Sequence, residues 1–208
     1  MAVEGTAPAV GSRPDAPASP PAWEQAGDAE LLAALARGEH AAFDALFARH
    51  GAPVLTFISR LVAGRADPED LLQETFLRIL EHAGEFLAGS DFKPWLYTIA
   101  RNAAYGALKK ARLREAMEVK TDLSDWSIPS RAASADEPAA EVELDEQKAR
   151  AVKALEKLPV PHREILVLTL FDGFSYEEAA RITGEPIGTL RSRVFYALRK
   201  LRDLLGEA

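Results

Sequence analysis

The sequence contains no cysteine and only two methionines among 208 residues. Disulfides, thiolate metal ligands and thiol nucleophiles are excluded, and a reducing compartment suits such a chain. Long apolar runs are missing too, since none approaches the ~20 residues needed to cross a bilayer. The N-terminus has no basic start followed by an apolar block, which argues against a secretory leader. Histidine is scarce, and His40, His50, His82 and His162 stand at no spacing that would ligate zinc. Neither a Gly-rich phosphate loop nor a nucleophile motif is present. These absences predict a soluble, cytoplasmic, non-enzymatic protein that needs no metal, cofactor or small-molecule substrate and does not insert into membranes.

Charge is present but unevenly placed. The net charge is −7, and residues 115–150 alone carry ten acids against four bases. Elsewhere two stripes hold no acid at all: Arg101–Arg114 and Ile187–Arg202 each carry five positive charges. Basic stripes on an acidic chain predict focused contacts to an anion, not a general nucleic-acid coat.

Residues 1–27 contain seven Ala, five Pro and three Gly. Such a segment cannot bury enough apolar surface to offset its ordering entropy, so the expectation is a disordered tail. From Asp28 the apolar residues recur at helical spacing, with Leu31, Leu32 and Leu35, then Phe43, Leu46 and Phe47, then Val54, Phe57, Ile58 and Leu61. The stretch ADPEDLLQETFLRIL opens a helix sharply: Asp67 caps, Pro68 suits the first position, and Glu69 and Asp70 complement the positive end. A further helix is expected from about Pro94 to Arg114. Nothing alternates with period two. The fold class is therefore all-α, read as two small helical domains: residues 28–114 and, beyond an acidic Pro- and Ser-bearing linker at 115–147, residues 148–208. A flexible linker of that length spans about 30 Å on average.

The segment FSYEEAARITGEPIGTLRSRVFYALRKLRDLL carries most information. Ser175 and Glu178 form a capping box, Gly184 can take the left-handed conformation that ends the short helix, and Pro186 starts the next. Ala180 is small enough for the second helix to cross closely. This is the grammar of a helix-turn-helix. On the second helix Ile187, Leu190, Val194, Leu198 and Leu201 are expected to face the core. The outer stripe offers Arg191, Ser192, Phe195, Tyr196 and Arg199, of which Arg191 can reach guanine edges and the aromatics thymine methyls.

The same stretch resembles the C-terminal domain of bacterial sigma factors of the extracytoplasmic-function (ECF) group. The matching residues are Leu158-Pro159, Arg163, Gly173, Ser175-Tyr176, Glu178, Ala180, Gly184, Pro186, Gly188-Thr189-Leu190 and Ser192-Arg193. DPEDLLQETFLRIL is similar to the family's polymerase-docking helix, and FKPWLYTIARN to its promoter-melting segment. The two matches come in the family's order, without room for the middle domain of housekeeping sigma factors. The chain departs from the pattern at Leu87, at Tyr105-Gly106 and at Tyr196, all near expected DNA contacts.

The resemblance implies a transcription initiation factor that binds core RNA polymerase, reads the minus-thirty-five and minus-ten promoter elements and aids melting. It implies docking on the polymerase clamp helices through Asp70, Gln73, Glu74 and Leu77, an acidic and amide-bearing face suited to a basic coiled coil. Gly89, Ser90, Asp91, Phe92 and Lys93 are expected to hold an unstacked base of the minus-ten element, with Asn102, Lys109 and Lys110 toward the upstream edge and its phosphates. Gly188, Thr189, Arg191, Ser192, Arg193, Phe195, Tyr196 and Arg199 are expected to read the minus-thirty-five element. Acids such as Asp122, Asp125, Asp136 and Glu137 would lie in the polymerase's RNA path. The family usually has an anti-sigma partner. The alternatives are a stand-alone helix-turn-helix regulator and a sigma mimic that titrates an anti-sigma factor.

Overall fold

A computed structural model describes Trp23 and residues 25–86, 90–118 and 150–206. The acids Asp122, Asp125, Asp136 and Glu137 and the base-loop residue Gly89 lie outside them. All regular structure among the described residues is helical. Helix α1 spans Asp28–Ala36, α2 His40–Val62, α3 Pro68–His82 and α4 Phe92–Glu118. Helix α5 includes residues 150–156. Helix α6, Val160–Leu166, runs into a π turn at Val167–Phe171, followed by α7, Tyr176–Thr183, and α8, Ile187–Gly206.

The start of α3 follows from its sequence. The Asp67 carboxylate accepts the Glu69 amide at 2.8 Å and the Asp70 amide at 3.4 Å, with Pro68 at the first helical position. Leu46, Val54, Phe57, Ile58 and Leu61 of α2, Phe76 and Ile79 of α3 and Leu96 and Ala100 of α4 are buried together. Each large side chain in such a core contributes about 2 kcal/mol. In the C-terminal unit Leu155, Leu158, Ile165, Leu166, Ala179, Ile182, Leu190 and Val194 do the same.

Several expectations shift. Trp23 packs partly against the core and Ala26 is buried, its carbonyl accepting from Arg49 at 2.9 Å, so the last residues of the supposed tail are docked. Helix α4 starts two residues earlier and continues through Glu118, because Glu115, Ala116 and Met117 are good helix formers. Phe47 is exposed, and so is Leu198, whose expected core place Ala197 takes. The buried line on α8 therefore steps by four and then three, Leu190, Val194, Ala197.

The two helical units were expected to hang on a linker. The units also touch directly, since α4 packs against α7 as well as against α2 and α3. The Tyr97 and Phe174 rings meet edge to face at 4.7 Å, and the hydrophobic core runs from one unit into the other. These contacts join residues far apart in sequence, so no helical periodicity announces them.

Candidate nucleic-acid interface

The helix-turn-helix forms as its sequence dictates. Ser175 Oγ accepts the Glu178 amide at 3.2 Å, and the Glu178 carboxylate accepts the Ser175 amide at 2.8 Å. Those bonds hold the Glu178 carboxyl below the usual range, with the amide of Ser175 the largest cause. Helix α7 ends at Gly184, whose φ of 73° lies where a Cβ is unfavourable, and its amide bonds to the Ala180 carbonyl at 2.9 Å. Helix α8 then presents its N-terminal half outward.

On that face Gly188, Thr189, Arg191, Ser192, Phe195, Tyr196 and Arg199 are exposed. The Arg191 guanidinium lies 5.5 Å from the Tyr176 ring centre, which steadies it without burying it. Phe195 is 64% exposed, and its ring meets Tyr196 edge to face at 5.4 Å. Ser192 Oγ donates to the Gly188 carbonyl at 3.0 Å, leaving its lone pairs outward. Arg193 is different. It is half-buried and paired with Glu185 at 2.6 Å, so it braces the turn and does not stand free for DNA. Tyr196 and Arg199 also line a cavity of about 530 Å³ with Pro159, His162 and Lys200. Burial, then Arg193 and Lys200, lower the His162 pKa and favour its neutral form.

The segment expected to act in melting divides similarly. Ser90, Asp91, Lys93, Asn102, Lys109 and Lys110 are exposed. Phe92 is only 5% exposed, lies 5.2 Å from the His50 ring and 6.0 Å from Trp95, and has no face open for a base. Its assignment to base capture is corrected: it anchors the start of α4. Trp95 is half-buried. It stacks edge to face on Phe86 at 5.3 Å and lines a cavity of about 390 Å³ with Ser90, Asp91, Pro94, Thr98 and Arg181. On α3, Asp70, Gln73 and Leu77 are exposed, and Glu74 is paired with Arg78 at 2.5 Å.

Sequence reasoning missed a polar seam between the two units. Arg101 Nε donates to Glu164 Oε1 at 2.5 Å and the Tyr105 hydroxyl donates to Oε2 at 2.7 Å. Burial raises the Glu164 pKa, opposed by Arg101 and Tyr105, and burial also raises the Tyr105 phenol. Buried Arg163 donates to the Leu61 carbonyl at 2.6 Å and to the Glu156 carbonyl at 2.8 Å. Lys93 donates to the Asp172 carbonyl at 3.2 Å and sits 4.5 Å from the Phe174 ring centre. The one available signal was Glu164 itself. It lies four residues from Val160 and from Leu168, both buried, and a charge on that line requires a partner.

Asp172 carries a measurable consequence. Burial pushes its carboxyl up to about 6, opposed by Arg60 and Lys93. A raised folded-state pKa means the folded form binds the proton more tightly, so this stabilisation is complete below the unfolded value and is lost as pH rises through about 6. After allowance for the solvent that reaches the carboxylate, Asp172→Asn should stabilise the protein by about 1 kcal/mol at about pH 7.5. The advantage over wild type should vanish near pH ~4. Denaturant melts of both proteins at the two pH values check this, and a pH-independent difference would count against it.

With this geometry in hand, comparison with known proteins is specific. The description "Sigma-70 region 2" matches residues 46–114, and "Sigma-70, region 4" matches residues 148–201. The RNA polymerase sigma factor CarQ of Myxococcus xanthus is 39% identical over 171 residues, covering 82% of this chain and 92% of that protein. The ECF RNA polymerase sigma factor EcfG of Rhodopseudomonas palustris is 40% identical over 154 residues, covering 74% and 80%. Among solved structures, the sigma factor RpoE bound to the anti-sigma factor NepR, from Bartonella quintana, superposes with TM-score 0.61 at 32% identity, covering 79% of this chain and 96% of that one. CnrH in complex with the cytosolic domain of CnrY superposes with TM-score 0.63 at 27% identity, covering 86% and 97%.

Proposed function

The chain belongs to the sigma-70 family of RNA polymerase sigma factors, in its ECF group, and from that membership we propose a division of labour among its residues. The protein is a transcription initiation factor that binds core polymerase and directs it to promoters. The polymerase makes the bonds. Sigma factors are not themselves enzymes, and no described helix is long and apolar enough to cross a membrane. Its place of action is the cytoplasm, with the polymerase.

Residues 28–114 form the region 2 unit and residues 148–208 the region 4 unit, with 1–27 as tail and 115–147 as linker. Asp70, Gln73, Glu74 and Leu77 dock on the polymerase. Ser90, Asp91 and Lys93, together with Gly89, receive the minus-ten strand beside the Trp95 cavity, and Asn102, Lys109 and Lys110 follow its upstream backbone. Gly188, Thr189, Arg191, Ser192, Phe195, Tyr196 and Arg199 read the minus-thirty-five element. An anti-sigma factor is the expected regulator, since the related RpoE and CnrH structures hold NepR and CnrY.

The observation that carries this reading is the order of the two units: a helix with an exposed acidic face, then a long helix with a basic stretch at Lys109–Arg114, then a capped helix-turn-helix whose outer face is free of acid. Run-off transcription with purified core polymerase on genomic fragments tests it. Discrete start sites that require the protein support the sigma role. Operator binding without start sites would favour the stand-alone regulator, and anti-sigma binding without either would favour the mimic.

A further inference from the structure

We propose that the free chain holds itself closed through a latch centred on Glu164, and that the closed form withholds the melting segment from promoter DNA. The Glu164 side chain is 1% exposed, and both hydrogen bonds described for its carboxylate come from the other unit, Arg101 on Oε1 and Tyr105 on Oε2. A buried carboxylate satisfied only across an interface specifies that interface, because misplacement leaves a charge without a partner. Arg163 works the same way, with one nitrogen on the Leu61 carbonyl across the seam.

The same closure occupies groups that the melting segment needs. Asp91 pairs with Arg181 of α7 at 2.8 Å, and Lys93 is held by the Asp172 carbonyl. Arg181 forms part of the wall of the cavity lined by Ser90, Trp95 and Thr98, so a region 4 helix stands at the place where a base would enter. Beside Phe171, the Arg60 guanidinium lies 4.3 Å from the ring centre and adds a further contact across the seam, between two residues with no assigned DNA role.

The latch is built to open. Asp91 and Arg181 are more than half exposed, and such pairs hold weakly. Interfaces between domains of one chain ordinarily permit motion. The binding-competent fraction of the free protein is then the open fraction, and its apparent affinity for polymerase and promoter falls in proportion. The withholding of DNA rests on the sigma reading above, whereas closure itself does not.

Two arms test the latch on the full chain. In the first, Arg101→Ala with Tyr105→Phe alters only exposed or half-buried groups of α4 and should open the protein. Small-angle scattering should show an increased radius of gyration, with helicity by circular dichroism unchanged, and apparent affinity for core polymerase should rise several-fold. An unchanged radius with intact helicity would overturn the latch. In the second, the chain's lack of cysteine allows Arg60→Cys with Phe171→Cys to be bridged by a short bis-maleimide spacer. Bridged protein should lose about tenfold or more in open-complex formation, read by permanganate reactivity of promoter thymines, relative to the same variant unbridged. Equal open complexes from bridged and unbridged protein would overturn the withholding of DNA. If the unbridged variant and wild type both fail to support start sites while the scattering change occurs, the sigma reading fails and the latch stands.

Discussion

Leu190→Asp should abolish minus-thirty-five recognition by unfolding the C-terminal unit, with a loss on the order of 4 kcal/mol. Leu190 is fully buried on the inner face of α8, in the same core as Ile182, Val194 and Ala197, where a carboxylate would lose its water. The neighbouring Arg191 should behave differently in kind. It is exposed, rests near the Tyr176 ring and contributes little to folding, so Arg191→Ala should leave the melting curve almost unchanged. If Arg191 makes a bidentate base contact, its loss should cost about 1–3 kcal/mol in promoter binding and relax specificity at one position. Circular dichroism separates the two variants, and binding to a panel of single-base promoter variants checks the second. A uniform loss across the panel would make Arg191 a phosphate contact.

The contrast between adjacent residues shows which parts of the fold the sequence declares. Local devices are legible because their causes are local. The Asp67-Pro68 start of α3, the Ser175 and Glu178 capping box and Gly184 all act within four residues, and all appear where the sequence puts them. Amphipathic phase is legible only while the helix stays regular. Leu170 continues the line of Ile165, Leu166 and Leu168 in sequence, yet it is exposed because the π turn at Val167–Phe171 rotates the following residues off the α-helical face. The polar seam is hidden more deeply. Arg101 and Tyr105 belong to a stretch that reads as a solvated or DNA-facing basic stripe, and only the position of Glu164 on an apolar line hints that one of them has a protein partner. On the candidate DNA face of α8 the sequence could not separate Arg193, which pairs with Glu185, from Arg191, which is exposed.

A second large effect is expected at α3. Gln73→Ala with Glu74→Lys should weaken binding to core polymerase by about tenfold to a hundredfold, since it removes an amide and inverts a charge on a face suited to a basic partner. Folding should be nearly unaffected. Gln73 is exposed, all four residue types are good helix formers, and the Glu74–Arg78 pair that is lost has both side chains more than 40% exposed. An exposed pair four residues apart contributes only about 0.3–0.5 kcal/mol. The neighbouring Leu77 supplies the apolar part of the same face: it is 57% exposed, so Leu77→Ala creates no cavity and should also lower polymerase binding at constant stability. Phe76, one residue earlier, is the counter-case. It is buried and meets Phe43 and Phe47 edge to face at 5.9 and 4.9 Å, so Phe76→Ala should cost about 3–5 kcal/mol and lose polymerase binding only through unfolding. Co-purification with core polymerase beside thermal melts of the three proteins separates docking from folding. Wild-type retention of polymerase by the Gln73/Glu74 variant would remove the docking assignment from this face. Loss of binding with an unshifted melt would place the contact on the outer side of α3, where charge and one exposed leucine act on a partner and the phenylalanine beneath them acts on the fold.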